Sequence, residues 1–273
     1  MAGEIHSFHH SGHLGDIIYA LPVLRACGGA DLEISTENPA KNPSVIYRAL
    51  TQTEFLAIGP LLVAQPYIRS VRFVRKMTPG SIDLNPWHLI PGHIAEAHLK
   101  LIHGLTSDVL RRPWISVKPK CVAPVVVNRS ARWHERGAEA AWRQVLEAAG
   151  DAAVFVGLFS EHEDFVAKIG PIRFQPTINL LEVAAIIAGA TAFIGNQSCC
   201  LAIAQAMHHP RIAFERKIKK NNCDIAEIPT IKFDEVEKMK QVIKSLRVIA
   251  SAVYPPIAQR GGLPPTIPPH SPN

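Results

Sequence analysis

The feature that most constrains the fold is a regular alternation of short β-branched runs with amphipathic stretches of helical length. Runs such as 32–36 and 124–128 predict buried strands, and stretches such as 16–27 and 138–149 predict helices. Strands that alternate with helices in this way form parallel sheets with helices packed on their faces. The sequence therefore predicts an α/β protein.

The alternation runs through the chain twice, with an interruption near its middle. Further strands are predicted at 4–8, 70–74, 153–157, 191–195 and 211–214, and further helices at 44–63, 94–103, 161–168, 180–188, 198–207 and 234–252, with one short strand in the loop 77–91. The proline- and arginine-containing segment 111–124 predicts a linker. We expect two Rossmann-like domains, 1–118 and 119–254, followed by a proline-rich, disordered tail, 255–273.

Composition narrows the class of protein. Of the 273 residues 47% are hydrophobic and 19% charged, which is typical of a folded globular protein. No apolar run is long enough to span a bilayer and no signal sequence is evident, so we expect a cytoplasmic location. The five cysteines include no C-x-x-C pair, which favours reduced thiols. The net charge of +6 favours an anionic ligand or partner, such as a nucleotide diphosphate, nucleic acid or phosphorylated glycolipid.

The first candidate site segment joins a predicted strand to a helix at 9–26. Gly12 and Gly15 allow the backbone to approach a ligand, and Asp16 opens the helix at the carboxyl end of the first strand, where open α/β sheets bind ligands. The alternative is that Asp16 only caps the helix. His6, His9, His10 and His13 also lie here, without the cysteine or carboxylate spacing of a recognised metal site.

Two further segments follow strands of the second half. Arg129 and Arg132 come directly after the strand at 124–128, and arginine is suited to bidentate contact with phosphate. A solvated basic loop is the alternative. The turn from Asn196 to Cys199 opens a small-residue helix whose free N–H groups suit a diphosphate, although Ser198 is also explained as an ordinary cap.

Taken together, the segments resemble glycosyltransferase family 9, which includes the bacterial lipopolysaccharide heptosyltransferases. The family's G-D-x-x-x-x-L-P-x-L-R-A-like segment is matched at 15–26, its strand and polar loop before a tryptophan at 125–133, and its V-G-x-D-S-G-x-x-H-x-A-x-A segment, loosely, at 194–206. Residues 154–157 with Glu161 and Glu163 resemble its v-x-v-G-x-x-x-E stretch. The sequence departs from the family at Gln197, Cys199 and Ala202, where the family has an acidic residue, a glycine and a histidine.

The resemblance implies a GT-B fold, in which two Rossmann-like domains face each other across a cleft. It implies a metal-independent, inverting glycosyltransferase that needs no cofactor beyond its nucleotide-sugar donor, with Asp16 as the general base. Binding of the donor falls to the second domain together with Gly15, and binding of the acceptor to the first-domain loop. The implied donor-binding residues are Gly15, Asn128, Arg129, Ser130, Arg132, Glu161, Asn196, Gln197, Ser198 and Cys199, and the implied acceptor-binding residues are His10, Gly12 and His13.

The sequence leaves the chemical identity of the acceptor open. A hydroxymethylated pyrimidine in phage DNA is slightly favoured by the basic residues Arg111, Arg112, Lys118, Lys120 and the cluster 216–220, and it implies a virus-encoded protein in a bacterial host. A lipopolysaccharide core sugar is the alternative that follows from the family. A hypothesis of another class is a non-catalytic nucleotide-sugar-binding module or an epimerase of the same fold, which gains weight if Asp16 points away from the cleft.

Overall fold

The chain folds into two parallel sheets with helices packed between and around them. The computed structural model describes residues 6–36, 50–131, 137–209, 212–215, 230–232, 237 and 241. Predictions that concern 37–49, Arg132, the basic cluster 216–220, the final helix at 234–252 or the tail at 255–273 lie, in whole or in large part, outside these residues. Within them, the predicted α/β class with parallel sheets is confirmed.

The first sheet contains four parallel strands in the order β3-β2-β1-β4. The bounds are β1 His6–His10, β2 Ala30–Ser35, β3 Ile68–Val74 and β4 Ile82–Asp83. Its helices are α1 Leu14–Ala26, α2 Gln52–Val63 and α3 Ile94–Lys100, and two short 3-10 helices cover Asn85–Leu89 and Ser107–Arg111. Since all the strands are parallel, their carboxyl ends meet at one edge, and the loop into α1 lies at that edge.

Among the described residues, the second sheet contains six parallel strands in the order β10-β9-β8-β5-β6-β7. The bounds are β5 Val125–Asn128, β6 Ala153–Phe155, β7 Arg173–Phe174, β8 Ala192–Asn196, β9 Ile212–Glu215 and β10 Thr230–Lys232. The helices are α4 Glu139–Ala149, α5 Phe159–Lys168, α6 Leu180–Gly189 and α7 Cys199–Ala206, with a 3-10 turn at Gly150–Ala152. Strands β5 and β8 are buried along their whole length, as expected for the centre of a parallel sheet.

The larger of two hydrophobic cores extends across the two sheets. It includes Phe8 of β1, Leu21 of α1 and Ile203 of α7, all of them fully buried. Helix α1 packs against α7, and α2 packs against α6. A second, smaller core lies between the second sheet and α4 and α5, and contains Trp142 and Phe165. The helices at the carboxyl end of β1 and β8 are therefore held in fixed relation by apolar packing.

The predicted linker connects both halves through specific hydrogen bonds. The indole N–H of Trp114 donates to the carbonyl of Ile18 in α1 at 3.0 Å, while the backbone N–H of Trp114 donates to the carbonyl of Ala206 in α7 at 2.8 Å. Trp114 is 1% exposed. This segment is thus packed between the two halves, and the domain boundaries at 118 and 119 stay a prediction.

The element predictions agree with the structure to within about three residues wherever it describes them. The differences are the strands β7 and β10, which the sequence did not predict, and the helix at 44–63, whose described part begins at Gln52. In the part of the chain that the structure describes, no helix combines the length and hydropathy needed to cross a membrane.

Candidate active site

Asp16 lies in the first turn of α1 and is anchored there by the loop that precedes it. Its Oδ2 atom accepts the backbone N–H of His13 at 3.2 Å, which closes the first turn as in a capping box. Asp16 is 9% exposed. The capping role that the sequence offered as an alternative is therefore real, and it holds the carboxylate at the carboxyl edge of the first sheet.

The histidine that precedes this loop supports it from inside. His10 is fully buried, and its two ring nitrogens lie 2.9 Å from the Gly12 backbone N and 3.1 Å from Nε2 of His98. The predicted acceptor contact of His10 stays a prediction. Gly12 is buried, and the partly exposed His13 stays the candidate of this loop for contact with a bound molecule.

The turn between β8 and α7 is the corresponding structure in the second half. Ser198 caps α7 by accepting the N–H of Leu201 at 3.3 Å, and its hydroxyl donates to Oδ1 of Asn128 at 2.9 Å. The amide of Asn128 in turn donates to the carbonyl of Val156 at 2.9 Å. Asn128 therefore links the ends of three neighbouring strands and fixes the start of α7.

The N-termini of α1 and α7 meet. A Cβ atom placed on Gly15 would lie 3.7 Å from Cα of Cys199 and 3.9 Å from its backbone N. Burial first, and then the negative charges of Asp16 and Glu161, raise the pKa of the Cys199 thiol to about 12. Two carboxylates, one from each half, thus lie near enough to the first turn of α7 to act on this thiol.

Glu161 mirrors Asp16 in the second half. Its Oε2 atom accepts the N–H of Leu158 at 3.1 Å, so it closes the first turn of α5 as Asp16 closes that of α1. Gly157 adopts a φ of +135°, and a Cβ atom there would lie 2.7 Å from Nδ2 of Asn128 and 2.8 Å from Oε2 of Glu161. Only glycine fits this position, and its absence of a side chain brings Asn128 and Glu161 together.

Of the remaining predicted donor-binding residues, some lie at the turn before α7, and Arg129 lies in the protein interior. Asn196 is buried and accepts the backbone N–H of Ser130 at 2.9 Å, and Gln197 is partly exposed at the same turn. The side chain of Arg129 is 1% exposed and lies 3.7 Å from carboxylate oxygens of both Glu139 and Asp164. The guanidinium is thus paired with carboxylates of α4 and α5, and its predicted phosphate contact stays a prediction.

The histidines near β1 do not converge on one point. His9 lies 2.8 Å from the hydroxyl of Ser35 and 3.3 Å from Oδ1 of Asp83, on the opposite side of the strand from His10. Hydrogen bonds from His9 and Asn85 outweigh burial and keep the pKa of the Asp83 carboxyl below its ordinary value. Within the described ranges, no group of three or more histidine, cysteine or acidic side chains is arranged to hold a metal ion.

Two exposed apolar residues at the same edge of the second sheet were missed by the sequence analysis. Leu158 is 66% exposed directly after β6, and Ile178 is 88% exposed after β7. Leu158 is the N-cap residue of α5, and Ile178 precedes Asn179, the N-cap residue of α6, so the predicted helix starts were the available signal. Two surface cavities, of 560 and 380 Å³, lie elsewhere, and neither is lined by Asp16.

The fold is similar to that of solved glycosyltransferases. A glycosyl transferase family 9 protein from Veillonella parvula DSM 2008 has a TM-score of 0.61 at 12% identity, covering 92% of this chain and 96% of that one. The E. coli heptosyltransferase WaaC with ADP has a TM-score of 0.57 at 12% identity, covering 89% of this chain and 100% of that one. WaaC with ADP-2-deoxy-2-fluoro heptose has a TM-score of 0.55 at 11% identity, covering 89% and 99%.

At these identities the similarity establishes the fold. No protein-family model matches the sequence, and no curated protein matches it significantly. The chain thus has the α/β fold of the family 9 glycosyltransferases, which the sequence motifs predicted.

Proposed function

We propose that this protein is a nucleotide-sugar-dependent glycosyltransferase of the GT-B type that inverts the anomeric configuration. The observation that carries the proposal is the meeting of the α1 and α7 N-termini, which brings the Asp16 carboxylate next to the first turn of α7. A glycosyl transfer needs a base for the acceptor hydroxyl and, within a few ångströms of it, a site of positive electrostatic potential that binds the leaving diphosphate. A carboxylate beside a helix N-terminus provides both.

Asp16 is the proposed base. A carboxylate removes the proton of the acceptor hydroxyl as the oxygen attacks the anomeric carbon, and the sugar–phosphate bond breaks on the opposite face. The His13 N–H holds Oδ2 in place, so the carboxylate is oriented before the acceptor arrives. Burial of Asp16 limits the water that competes with the acceptor for the donor.

The first turn of α7 is the proposed diphosphate site. The first N–H groups of a helix have no acceptor within the helix, and that of Leu201 is taken by Ser198. The N–H groups of Cys199 and Cys200 then face the diphosphate, with the helix dipole behind them. This geometry uses backbone groups alone, so the glycine-to-Cys199 and acidic-to-Gln197 departures from the family leave it in place.

The nucleoside is proposed to lie along the ends of β6 and β7. The Glu161 carboxylate is placed to accept hydrogen bonds from the ribose hydroxyls, close to Asn128. Leu158 and Ile178 offer exposed apolar surface at the same edge, which suits the face of a nucleobase. The donor thus extends from this edge to the diphosphate at α7, with its sugar facing Asp16.

A saccharide hydroxyl is the better supported acceptor. Two of the basic residues that favoured DNA are already paired, since Arg111 lies 3.1 Å from Asp108 and Lys120 lies 2.5 Å from Glu182. The other cluster, 216–220, lies outside the described residues. The DNA acceptor therefore gains no support from the described residues, and a lipopolysaccharide-type sugar, in line with the fold of the heptosyltransferases, is the candidate that we place first.

The hypothesis of a non-catalytic binding module or an epimerase gains weight if Asp16 points away from the cleft. Asp16 instead lies close enough to Cys199 to influence its pKa, and the first turn of α1 touches α7. The geometry therefore favours transfer between two bound molecules over binding alone.

The test is a transfer assay with the purified protein and a panel of radiolabelled nucleotide sugars. Lipopolysaccharide core oligosaccharide and hydroxymethylated DNA are offered separately as acceptors, and release of free sugar is measured in their absence. We expect label on the oligosaccharide. Label on the DNA would support the transferase activity but identify DNA as the acceptor. Donor binding without any transfer or hydrolysis would support the non-catalytic binding module.

A further inference from the structure

We propose that His10 and His98 are positioning residues that act as a neutral hydrogen-bonded pair and fix the Gly12 backbone N–H, and through it the loop that carries Asp16. The inference rests on the proposed function for its effect on turnover. Its structural part stands on the contacts of the pair, which are independent of any bound molecule.

The pair connects α3 to the loop between β1 and α1. Nδ1 of His98 lies 2.8 Å from the carbonyl of Ile94 in α3. Nε2 of His98 lies 3.1 Å from Nε2 of His10, and Nδ1 of His10 lies 2.9 Å from the backbone N of Gly12. Both rings are fully buried, and Trp87 lies against His98 with ring centroids 5.3 Å apart.

The partners at the two ends determine where the protons are. Ile94 offers only a carbonyl, so Nδ1 of His98 must donate and its Nε2 is left to accept. Gly12 offers only an N–H, so Nδ1 of His10 must accept and its Nε2 carries the proton. Both ends independently place one proton between the two rings, on Nε2 of His10. An additional proton on either ring would disrupt one of these three hydrogen bonds.

Burial keeps the rings in this neutral state. Desolvation lowers the pKa of His98 to about 3, and burial together with the neighbouring His98 lowers the pKa of His10 well below its ordinary value. The acceptor on Nδ1 of His10 is therefore present at neutral pH.

The contact with Gly12 bears directly on Asp16. A Cβ atom on Gly12 would lie 2.6 Å from Cε1 of His10 and 3.1 Å from Oδ2 of Asp16, so backbone, ring and carboxylate are packed together without room for a side chain. The same carboxylate oxygen accepts the N–H of His13, the next residue. A shift of Gly12 would therefore move the group that orients Asp16, and small displacements of a base lower turnover strongly.

Two substitutions of His10 separate positioning from packing. In His10→Asn the amide oxygen occupies the place of Nδ1, so it accepts the Gly12 N–H but loses the contact with His98. In His10→Gln the amide nitrogen occupies the place of Nε2, so it donates to His98 but loses the acceptor for Gly12. Both variants remove one buried hydrogen bond, and asparagine, which is one methylene shorter, leaves the larger gap in the packing. Packing alone therefore predicts the larger loss for His10→Asn, whereas positioning predicts it for His10→Gln.

We expect His10→Asn to keep kcat within about threefold of the wild type and His10→Gln to lower it by about tenfold or more, with the KM for the donor within about twofold in both. The thermal unfolding midpoint of His10→Asn should fall at least as far as that of His10→Gln, because asparagine fills less of the buried site. Equal kcat values, or a larger loss of kcat in His10→Asn, would overturn the positioning role, since packing alone predicts that order.

Nitrogen-15 NMR of labelled protein tests the pair without any activity. We expect His10 protonated on Nε2 and His98 on Nδ1, and faster exchange of the Gly12 amide hydrogen in His10→Gln than in His10→Asn. The opposite tautomers in the folded wild-type protein would refute the inference. An exchange rate of the Gly12 amide hydrogen that His10→Gln leaves unchanged would refute it as well. Absence of wild-type turnover with the expected tautomers would instead refute the proposed function.

Discussion

The proline inside α1 and the tryptophan of the connecting segment form one structural unit, which leads to a quantitative prediction. In an α-helix each carbonyl accepts the N–H of the residue four positions later, and for Ile18 that residue is Pro22, which has no N–H. The indole N–H of Trp114 takes its place at 3.0 Å. A side chain from the connection between the halves thus completes the hydrogen bonding of the helix that carries Asp16.

The cost of Trp114→Phe can be estimated from this geometry. The carbonyl of Ile18 would stay buried without its donor, which costs about 1–3 kcal/mol, and the smaller ring adds on the order of 1 kcal/mol. Pro22→Ala restores a backbone N–H four residues after Ile18. In the Pro22→Ala background, Trp114→Phe should therefore cost only the packing contribution, so the two substitutions should couple by at least about 1 kcal/mol.

Urea unfolding of the wild type, both single variants and the double variant measures this coupling. Trp142→Phe is the control, because Trp142 is equally buried but belongs to the separate core of the second half. It should cost a similar packing energy and show no coupling to Pro22. A loss for Trp114→Phe that is the same with proline and with alanine at position 22 would refute the explanation.

Two further predictions concern the buried histidines and the donor side. Burial lowers the pKa of His98 to about 3, so near pH 6.5 the imidazole binds a proton in the unfolded chain but not in the folded chain. The free energy of unfolding should therefore have its full value above about pH 6.5 and fall by up to about 1.4 kcal/mol per pH unit below it. Urea unfolding between about pH 7 and about pH 5 should show a shallower slope for His98→Gln. A slope that the substitution leaves unchanged would contradict this. Gly157→Ala forces a side chain to within 2.7 Å of Asn128 Nδ2 and 2.8 Å of Glu161 Oε2. Calorimetry should show that this variant binds a nucleoside diphosphate about tenfold more weakly than the wild type. Gly80→Ala is the control, because Gly80 also has a positive φ but lies in open space, and its affinity should not change. Equal affinities of the two variants would remove the junction of Asn128 and Glu161 from the donor site.

The periodicity of the sequence was sufficient to predict most of the fold. The helices at α1, α4 and α7 begin within two residues of their predicted starts, because a polar loop separates each of them from the predicted strand before it. Strand β7 was missed because it contains only two residues. Such a strand carries no period of its own and is stabilised by its pairing with β6.

The candidate site was predicted in its local parts and missed in its long-range contacts. A carboxylate at a helix start is visible in the sequence for Asp16. The close approach of Gly15 to Cys199 is not visible in the sequence, since it depends on how the two sheets pack. Arg129 was predicted to contact phosphate because arginine follows a strand there, but the carboxylates that bind it lie 10 and 35 positions later along the chain, at Glu139 and Asp164.

The burial of His10 had no sequence signal. Neighbouring residues of a strand point to opposite faces, and here both His9 and His10 are polar, so the alternation of apolar and polar residues that marks a buried face is missing. The partner that allows His10 to be buried, His98, lies on α3 far along the chain. Only the fold brings the two rings together.

The most direct test of the account is the turnover of Asp16→Asn measured beside its affinity for a nucleoside diphosphate. The amide oxygen can still accept the His13 N–H, so the cap is retained while the base is lost. We expect transfer to fall by about a hundredfold or more, with diphosphate affinity within about threefold of the wild type. Asp108→Asn, an exposed carboxylate paired with Arg111, is the control and should leave both unchanged. An Asp16→Asn variant that keeps more than about a tenth of wild-type turnover would contradict the central claim that this carboxylate is the base.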